Sequence, residues 1–226
     1  MNKRIIKKQN MTFILNKHNS VANKFIAELR DVNVQKDKMR FRKNLERVGE
    51  VLAYEISKTL KYKEIAVETP LGISRPRVHN QNIILATILR AGLPFHQGFL
   101  NYFDEAHNAF VSAYRMHHKD GTFEINLEYI SCPNLEKSVL IISDAMLATG
   151  ASMALAIKEL LQNGTPKQIH VAAAIASTSG VNHIKRLFPK SKIWLGALDE
   201  ELTARSFIVP GLGDAGDLAY GTKIQE

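Results

Sequence analysis

The chain has 226 residues, of which 45% are hydrophobic and 23% charged, with a formal net charge of +8; these are ordinary values for a globular protein able to bury one substantial core. A single cysteine, Cys132, excludes an intramolecular disulfide and argues against a cysteine-built metal cluster. No apolar run approaches the roughly 18 residues needed to cross a bilayer.

The N-terminal ten residues are basic, and the apolar stretch after them, Met11 to Leu15, is too short for the core of a signal peptide, so a cytoplasmic location is expected. Ser20 is placed to cap a helix running to Arg30, with Phe25, Ile26 and Leu29 on one face. A longer helix is predicted from about Asp37 to Leu60. In it Phe41, Leu45, Val48, Leu52 and Ile56 recur at steps of three and four and make an apolar stripe. Gly49 inside that helix costs about 1 kcal/mol relative to alanine, which points to close packing at that position. Lys38, Arg40, Arg42, Lys43 and Arg47 decorate the rest and read as a solvated face. Together with Lys3–Lys8 they hold much of the positive excess, so contact with RNA is only a minority reading of the charge.

Ile65–Thr69 reads as a short strand closed by Pro70 and Gly72. Ile83–Leu89 is a seven-residue run with one threonine, the pattern of a parallel strand covered on both faces. Leu93–Phe103 reads as its helix and Ala109–Tyr114 as the next strand. After the polar turn of Arg115–Gly121, Phe123, Ile125, Leu127 and Tyr129 alternate, which suggests a flap-like hairpin. Val139–Ile142 is an apolar strand expected to stop at Ser143-Asp144. A loop from Ala145 to Gly150 and an amphipathic helix ending at Gly164 follow. Gln168–Ser177 is a strand, Val181–Phe188 a helix ended by Pro189, and Ile193–Leu198 the last clear strand. Ile208–Gly221 carries four glycines and Pro210 around Asp214 and Asp217, and glycines there let the backbone approach a ligand closely. The expected class is α/β, a parallel sheet in right-handed crossovers flanked by helices, with a flap hairpin and a C-terminal glycine-rich tract. One domain is expected over 1–226, with 1–34 an N-terminal extension packed on it.

The strand–turn–helix unit around residue 144 carries the chemistry. A helix start leaves backbone N–H groups unpaired and partially positive, and Thr149, Gly150, Ala151 and Ser152 sit where they emerge; such a place binds phosphate. Asp144 beside it would repel a phosphate unless it served another group, and ribose hydroxyls are such a group. A Walker A loop is excluded because no Gly-Lys-Ser/Thr is present, and a GxGxxG fingerprint is missing as well. From the loop alone, an ordinary βα turn with a capping aspartate remains an equal alternative. In open α/β sheets ligands bind at the carboxyl ends of the strands, where Arg90, Arg115 and Asp144 are all expected.

The run DAMLATGAS, Asp144–Ser152, resembles the phosphoribosyl-pyrophosphate (PRPP) loop of the uracil phosphoribosyltransferases, with Ala145 and Ala151 in place of the usual Pro and second Gly. VETPLG (Val67–Gly72), ILRAGL (Ile88–Leu93) and IVPGLGDAGD (Ile208–Asp217) resemble the same family in the same order. The likeness extends from about Gln35 to Thr222. It implies a type I phosphoribosyltransferase fold and transfer of the ribosyl phosphate of PRPP to a ring nitrogen of uracil, giving UMP and pyrophosphate in pyrimidine salvage. It also implies that PRPP lies along Asp144, Ala145, Met146, Leu147, Ala148, Thr149, Gly150, Ala151 and Ser152, with Arg90 and Arg115 on the pyrophosphate. Uracil would meet main-chain groups of Ile208, Gly213, Asp214 and Ala215. Mg2+ would arrive bound to PRPP, with no metal site of the protein's own. The transition state would resemble an oxocarbenium ion, so Arg90, Arg115, Asp144 and Asp214 are the residues expected to act on it, chiefly by position and charge. Asp214 is the nearest candidate for a base and could alternatively hold magnesium-bound water. Homodimers or larger homo-oligomers are usual in the family, and some members respond to GTP. No membrane partner is expected.

Four further departures from the family pattern stand out, and most of them flank the base end. Phe207 stands in place of a tyrosine, Leu202–Phe207 reads LTARSF for the usual LNExGY, Leu218 replaces an arginine, and Ser177–Gly180 lacks a carboxylate. Two further readings therefore stand beside the first: a phosphoribosyltransferase for another base, and a nucleotide-sensing RNA-binding regulator on the same fold.

Overall fold

The computed structural model describes residues 12–117 and 123–222, and side chains outside 113–127. In chain order the elements are β1 (Thr12–Ile14), α1 (Ala22–Arg30), α2 (Lys38–Ser57), β2 (Tyr62–Glu64), β3 (Val67–Thr69), β4 (Gly72–Ser74), β5 (Arg77–His79) and β6 (Ile83–Leu89). They continue with α3 (Gly92–Leu100), β7 (His107–His117), β8 (Phe123–Ser131), β9 (Val139–Leu147), α4 (Ala151–Leu160), β10 (Gln168–Ser177) and α5 (Thr178–Leu187). The last are β11 (Lys192–Asp199), β12 (Glu201–Leu202), β13 (Ile208–Val209) and α6 (Ala215–Tyr220).

Seven strands form the central sheet in the order β1-β11-β10-β9-β6-β7-β8. All its neighbours are parallel except β7 and β8, which make an antiparallel hairpin. The sheet is covered on both faces, which explains the unbroken apolar run of β6: Ile83 and Leu85 join one core, while Ile84, Ala86 and Ile88 join the other. The first core is closed by α1, α2 and α3, and the second by α4 and α5. The α2 stripe of Phe41, Leu45, Val48, Leu52 and Ile56 is fully buried in the first. Gly49 does lie in a close contact, since a Cβ there would collide with the Phe95 carbonyl of α3.

Several expectations change. Helix α1 ends at Arg30 as predicted, but no side chain caps its start; Asn23 N–H reaches the Ser20 carbonyl instead. The single strand over Ile65–Thr69 is replaced by two antiparallel ladders, β2–β5 and β3–β4, which together form a ribbon with Leu71 99% exposed. The basic residues of α2 are only partly a solvated face. Arg40 pairs with Glu28, Arg47 lies over the Phe25 ring, and Arg42 donates to the Ala219 carbonyl while covering the Tyr220 ring. Long cationic side chains cover apolar surface while their heads find acceptors. Thr12–Ile14 supply an edge strand of the main sheet, β1 beside β11.

One buried polar pair sets a pH dependence. Trp194 Nε1 can only donate and does so to His170 Nδ1 at 3.0 Å, so the imidazole proton sits on Nε2, 3.2 Å from Gln168 Oε1. Burial first, and the Lys192 charge second, push the His170 pKa down from 6.5 to about 3. The unfolded chain therefore takes up a proton that the folded one refuses. Stability from this group is complete above pH 6.5 and is lost as pH falls toward 3. Lowering pH from 7 to 5 should reduce the unfolding free energy read from urea titrations, by up to about 1.4 kcal/mol per pH unit. His170→Gln should flatten that slope without abolishing it, because burial also lowers the His96 pKa. An unchanged slope would mean that His170 titrates normally.

Candidate active site

Strand β9 does not stop at Asp144; it continues to Leu147. Strand β10 keeps pairing with it, Asp144 opposite Ala173 and Leu147 opposite Ala176, whereas pairing with β6 ends at Ser143. Asp144 is thus half-buried just where the sheet has lost one neighbour. Ala145 and Leu147 have buried side chains, so these two can meet a ligand only through their main chain, whereas Met146 is partly buried against the core.

The turn proper is Ala148–Gly150, after which α4 begins. Gly150 adopts φ +79°, where a side chain would be strained, and a Cβ on it would stand 2.9 Å from the Gly180 carbonyl. Thr149 Oγ1 accepts from the Ala151 N–H at 3.3 Å, and the next amides, of Ser152 and Met153, head the helix. The turn is braced from behind by the start of α5. Ser177 Oγ donates to the Ala148 carbonyl at 2.5 Å and accepts from Gly180 N–H at 2.9 Å. Gly180 fits beneath Ala148 and Leu147 only because it lacks a Cβ. In the sequence Ser177–Gly180 stands out only as a segment without a carboxylate. A serine closing a strand, with glycine three residues on, was the available sign of a capped helix start.

Arg90 follows β6 directly and reaches the C-terminal tract: Nη2 lies 3.1 Å from Asp217 Oδ1, and Nη1 donates to the Gly221 carbonyl at 3.3 Å. Asp214 caps α6 by accepting from Asp217 N–H at 3.0 Å. A Cβ on Gly216 would stand 3.2 Å from both Arg90 Nη2 and Asp214 Oδ1, so Arg90, Asp214 and Asp217 form one cluster. About a third of each side chain in the Arg90–Asp217 pair is exposed. Such a pair contributes no more than about 1 kcal/mol, so the guanidinium can be exchanged onto another anion at little cost. Arg115 lies on β7, its backbone opposite Ile125 of β8, beyond Ser112 where pairing with β6 ends. It therefore rides on the hairpin instead of ending a strand beside Arg90; its side chain lies outside the described residues, as do 118–122 of the polar turn.

In the C-terminal tract Ile208 is buried in β13, Gly213 has φ +96° with Leu218 Cδ1 3.9 Å from where a Cβ would be, and Ala215 starts α6. The altered LTARSF segment closes as a tight turn between β12 and β13. Thr203 N–H donates to the Phe207 carbonyl at 2.8 Å, and Thr203 Oγ1 accepts from Phe207 N–H at 3.1 Å. Threonine thus supplies the local acceptor expected of an asparagine, and Ser206, at φ +62°, occupies a conformation that suits glycine. A cleft of about 390 Å³ lined by Leu198, Asp199, Glu200, Glu201, Val209 and Pro210 touches this tract but includes neither Arg90 nor Asp144. Among the described residues no group of three or more His, Cys, Asp or Glu side chains could hold a metal ion, and no helix is long and apolar enough to cross a membrane.

The model of the uracil phosphoribosyltransferase family matches residues 15–222. A uracil phosphoribosyltransferase of Porphyromonas gingivalis is 54% identical over 211 residues, covering 93% of this chain and 98% of the relative. One from Thermococcus gammatolerans is 37% identical over 203 residues, covering 88% and 89%. Among solved structures, the AQ2163 protein from Aquifex aeolicus superposes with a TM-score of 0.84 at 30% identity, covering 95% of this chain and all of that one.

Proposed function

The chain belongs to the uracil phosphoribosyltransferase family, and from that premise we propose that it transfers the 5-phosphoribosyl group of PRPP to N1 of uracil, releasing pyrophosphate and forming UMP, in cytoplasmic pyrimidine salvage. The observation that carries this reading is that Arg90 joins the sheet edge holding Asp144 to the glycine-rich tract through Asp217. That contact would bring partners for both ends of a phosphorylated ribose and for a base to the same end of the sheet.

The 5-phosphate would sit on the N–H groups at the start of α4 and the Thr149 and Ser152 hydroxyls. Asp144 would accept from the ribose hydroxyls. Arg90, released from Asp217, and Arg115 would take pyrophosphate oxygens. Mg2+ is read as part of the substrate, Mg-PRPP, and would neutralise charge on the leaving pyrophosphate. The chain's own work is positional: a rigid turn fixes the sugar, the tract fixes the base edge through Ile208, Gly213, Asp214 and Ala215, and carboxylates stand near the developing positive charge. Asp214, engaged as a helix cap, fits an anchoring role better than that of a base. We read the chain as working in a homodimer or larger homo-oligomer, which the exposed β3–β4 hairpin with Leu71 and Ile73 supports.

The test is incubation of purified protein with PRPP, Mg2+ and separately labelled uracil, cytosine and purine bases. UMP from uracil alone is expected. Product from another base alone would move the specificity, and no product together with salt-sensitive RNA binding would favour the regulatory reading.

A further inference from the structure

Helix α1 and the end of β11 meet at an ion pair that no step so far uses. Arg30 Nη1 and Nη2 donate to the two carboxylate oxygens of Asp199, each at 2.8 Å, with 21% and 7% of the respective side chains exposed. The pair then closes on the backbone of a single residue of the glycine-rich tract. Arg30 Nη1 donates to the Gly211 carbonyl at 2.8 Å, and Gly211 N–H donates to Asp199 Oδ2 at 2.9 Å. With its amide nitrogen turned inward, Gln35 adds bonds to the carbonyls of Leu29 at 3.0 Å and Leu212 at 2.8 Å.

We propose that Arg30 and Asp199 are a positioning pair that sets the geometry of the uracil-binding tract. This rests on the reading of Ile208 and Gly213–Ala215 as the base contacts. Gly211 lies between those two sets of main-chain groups, at φ +57° and with no room for a Cβ against the Ile208 carbonyl. Main-chain recognition has no side-chain rotamers with which to absorb an error. A displacement of about 1 Å at a reacting group can cost on the order of a hundredfold in rate. A bidentate, largely buried guanidinium–carboxylate pair fixes direction as well as distance. The PRPP turn has its own brace in Ser177 and Gly180; that brace meets Asp199 only at its main chain, through the ladder partner Ser177 and the Thr178 hydroxyl at 3.4 Å, so loss of the Arg30 side chain should act on the base and spare the phosphate end.

The test uses Arg30→Met, Arg30→Lys and Gln35→Ala in the full chain. KM for uracil and for PRPP are measured separately, together with the rise in Tm caused by Mg-PRPP. Arg30→Met is expected to raise the uracil KM roughly tenfold or more, leave the PRPP KM within about twofold and keep the PRPP-induced Tm rise. Arg30→Lys, which keeps the charge but loses the planar fork, should fall between this variant and the wild type. Should Arg30→Met not fold because it strands the Asp199 charge, Arg30→Lys and Gln35→Ala decide by the same split. Uracil and PRPP constants rising together, or a uracil KM unmoved in folded variants, would overturn the positioning role. Failure of the wild type to make UMP would instead overturn the reaction reading, and the pair's role with it.

Discussion

Asp144→Asn should lower kcat/KM by about a hundredfold or more while the protein melts within a few degrees of wild type. Hydrogen bonds to a charged acceptor contribute roughly 1.5–3 kcal/mol each, and two ribose hydroxyls would donate to this carboxylate. Asparagine keeps one acceptor but turns the other oxygen into a donor, which would face a hydroxyl, and on the proposed placement it would remove a negative charge from beside the developing oxocarbenium. The substitution is nearly isosteric, and the backbone of Asp144 stays in its ladder with β10 whatever the side chain, so the fold should not change. Steady-state kinetics with uracil and PRPP, beside a thermal melt, give the answer. Wild-type kinetics would remove the sugar-binding role from Asp144.

Gly180→Val should raise the PRPP KM at least about tenfold, through a residue that touches no substrate. Its Cβ would strike the main-chain carbonyls of Ala148 and Leu147, and backbone atoms of a strand end cannot move aside as the tip of a flexible side chain can. The Ala148–Gly150 turn would be pushed from its place at the head of α4. Overpacking of this kind costs about 1–3 kcal/mol of stability, so a lower Tm should accompany the loss. Ser179→Ala, one residue earlier and exposed, is the control and should change neither quantity. A folded Gly180→Val with an unaltered PRPP KM would show that the turn does not depend on its brace.

The layers of the sheet were readable because periodicity reports burial. Ile83–Leu89 is continuous since side chains on both faces of β6 are covered, and Phe41 to Ile56 recur at helical spacing since one side of α2 is. The length of β9 was not readable. An aspartate and a run of small residues look like a loop, but β10 continues to offer backbone partners after β6 has ended. Strand β1 has only three residues, too few for any period to register. The ribbon from β2 to β5 is held by short-range ladders between mostly exposed residues, and burial leaves no pattern there. At the site, Asp144, the turn after it and the glycine-rich tract announced themselves by composition and by four motifs in order. Their supports did not. Ser177 meets Ala148 across 29 positions and Arg30 meets Asp199 across 169, and single polar contacts at such separations carry no repeat. Arg42 and Arg47 likewise looked solvated because a helix face shows its charge, not the carbonyl or ring lying against it.

The most direct measurement is a crystal structure of the protein with Mg2+ and PRPP, completed by a titration of PRPP binding to wild type and Asp144→Asn. The 5-phosphate should lie within hydrogen-bonding distance of the amides from Thr149 to Ser152, with the ribose hydroxyls on Asp144, and the variant should bind at least about tenfold more weakly. PRPP seated away from that turn, or bound equally well by both proteins, would contradict it.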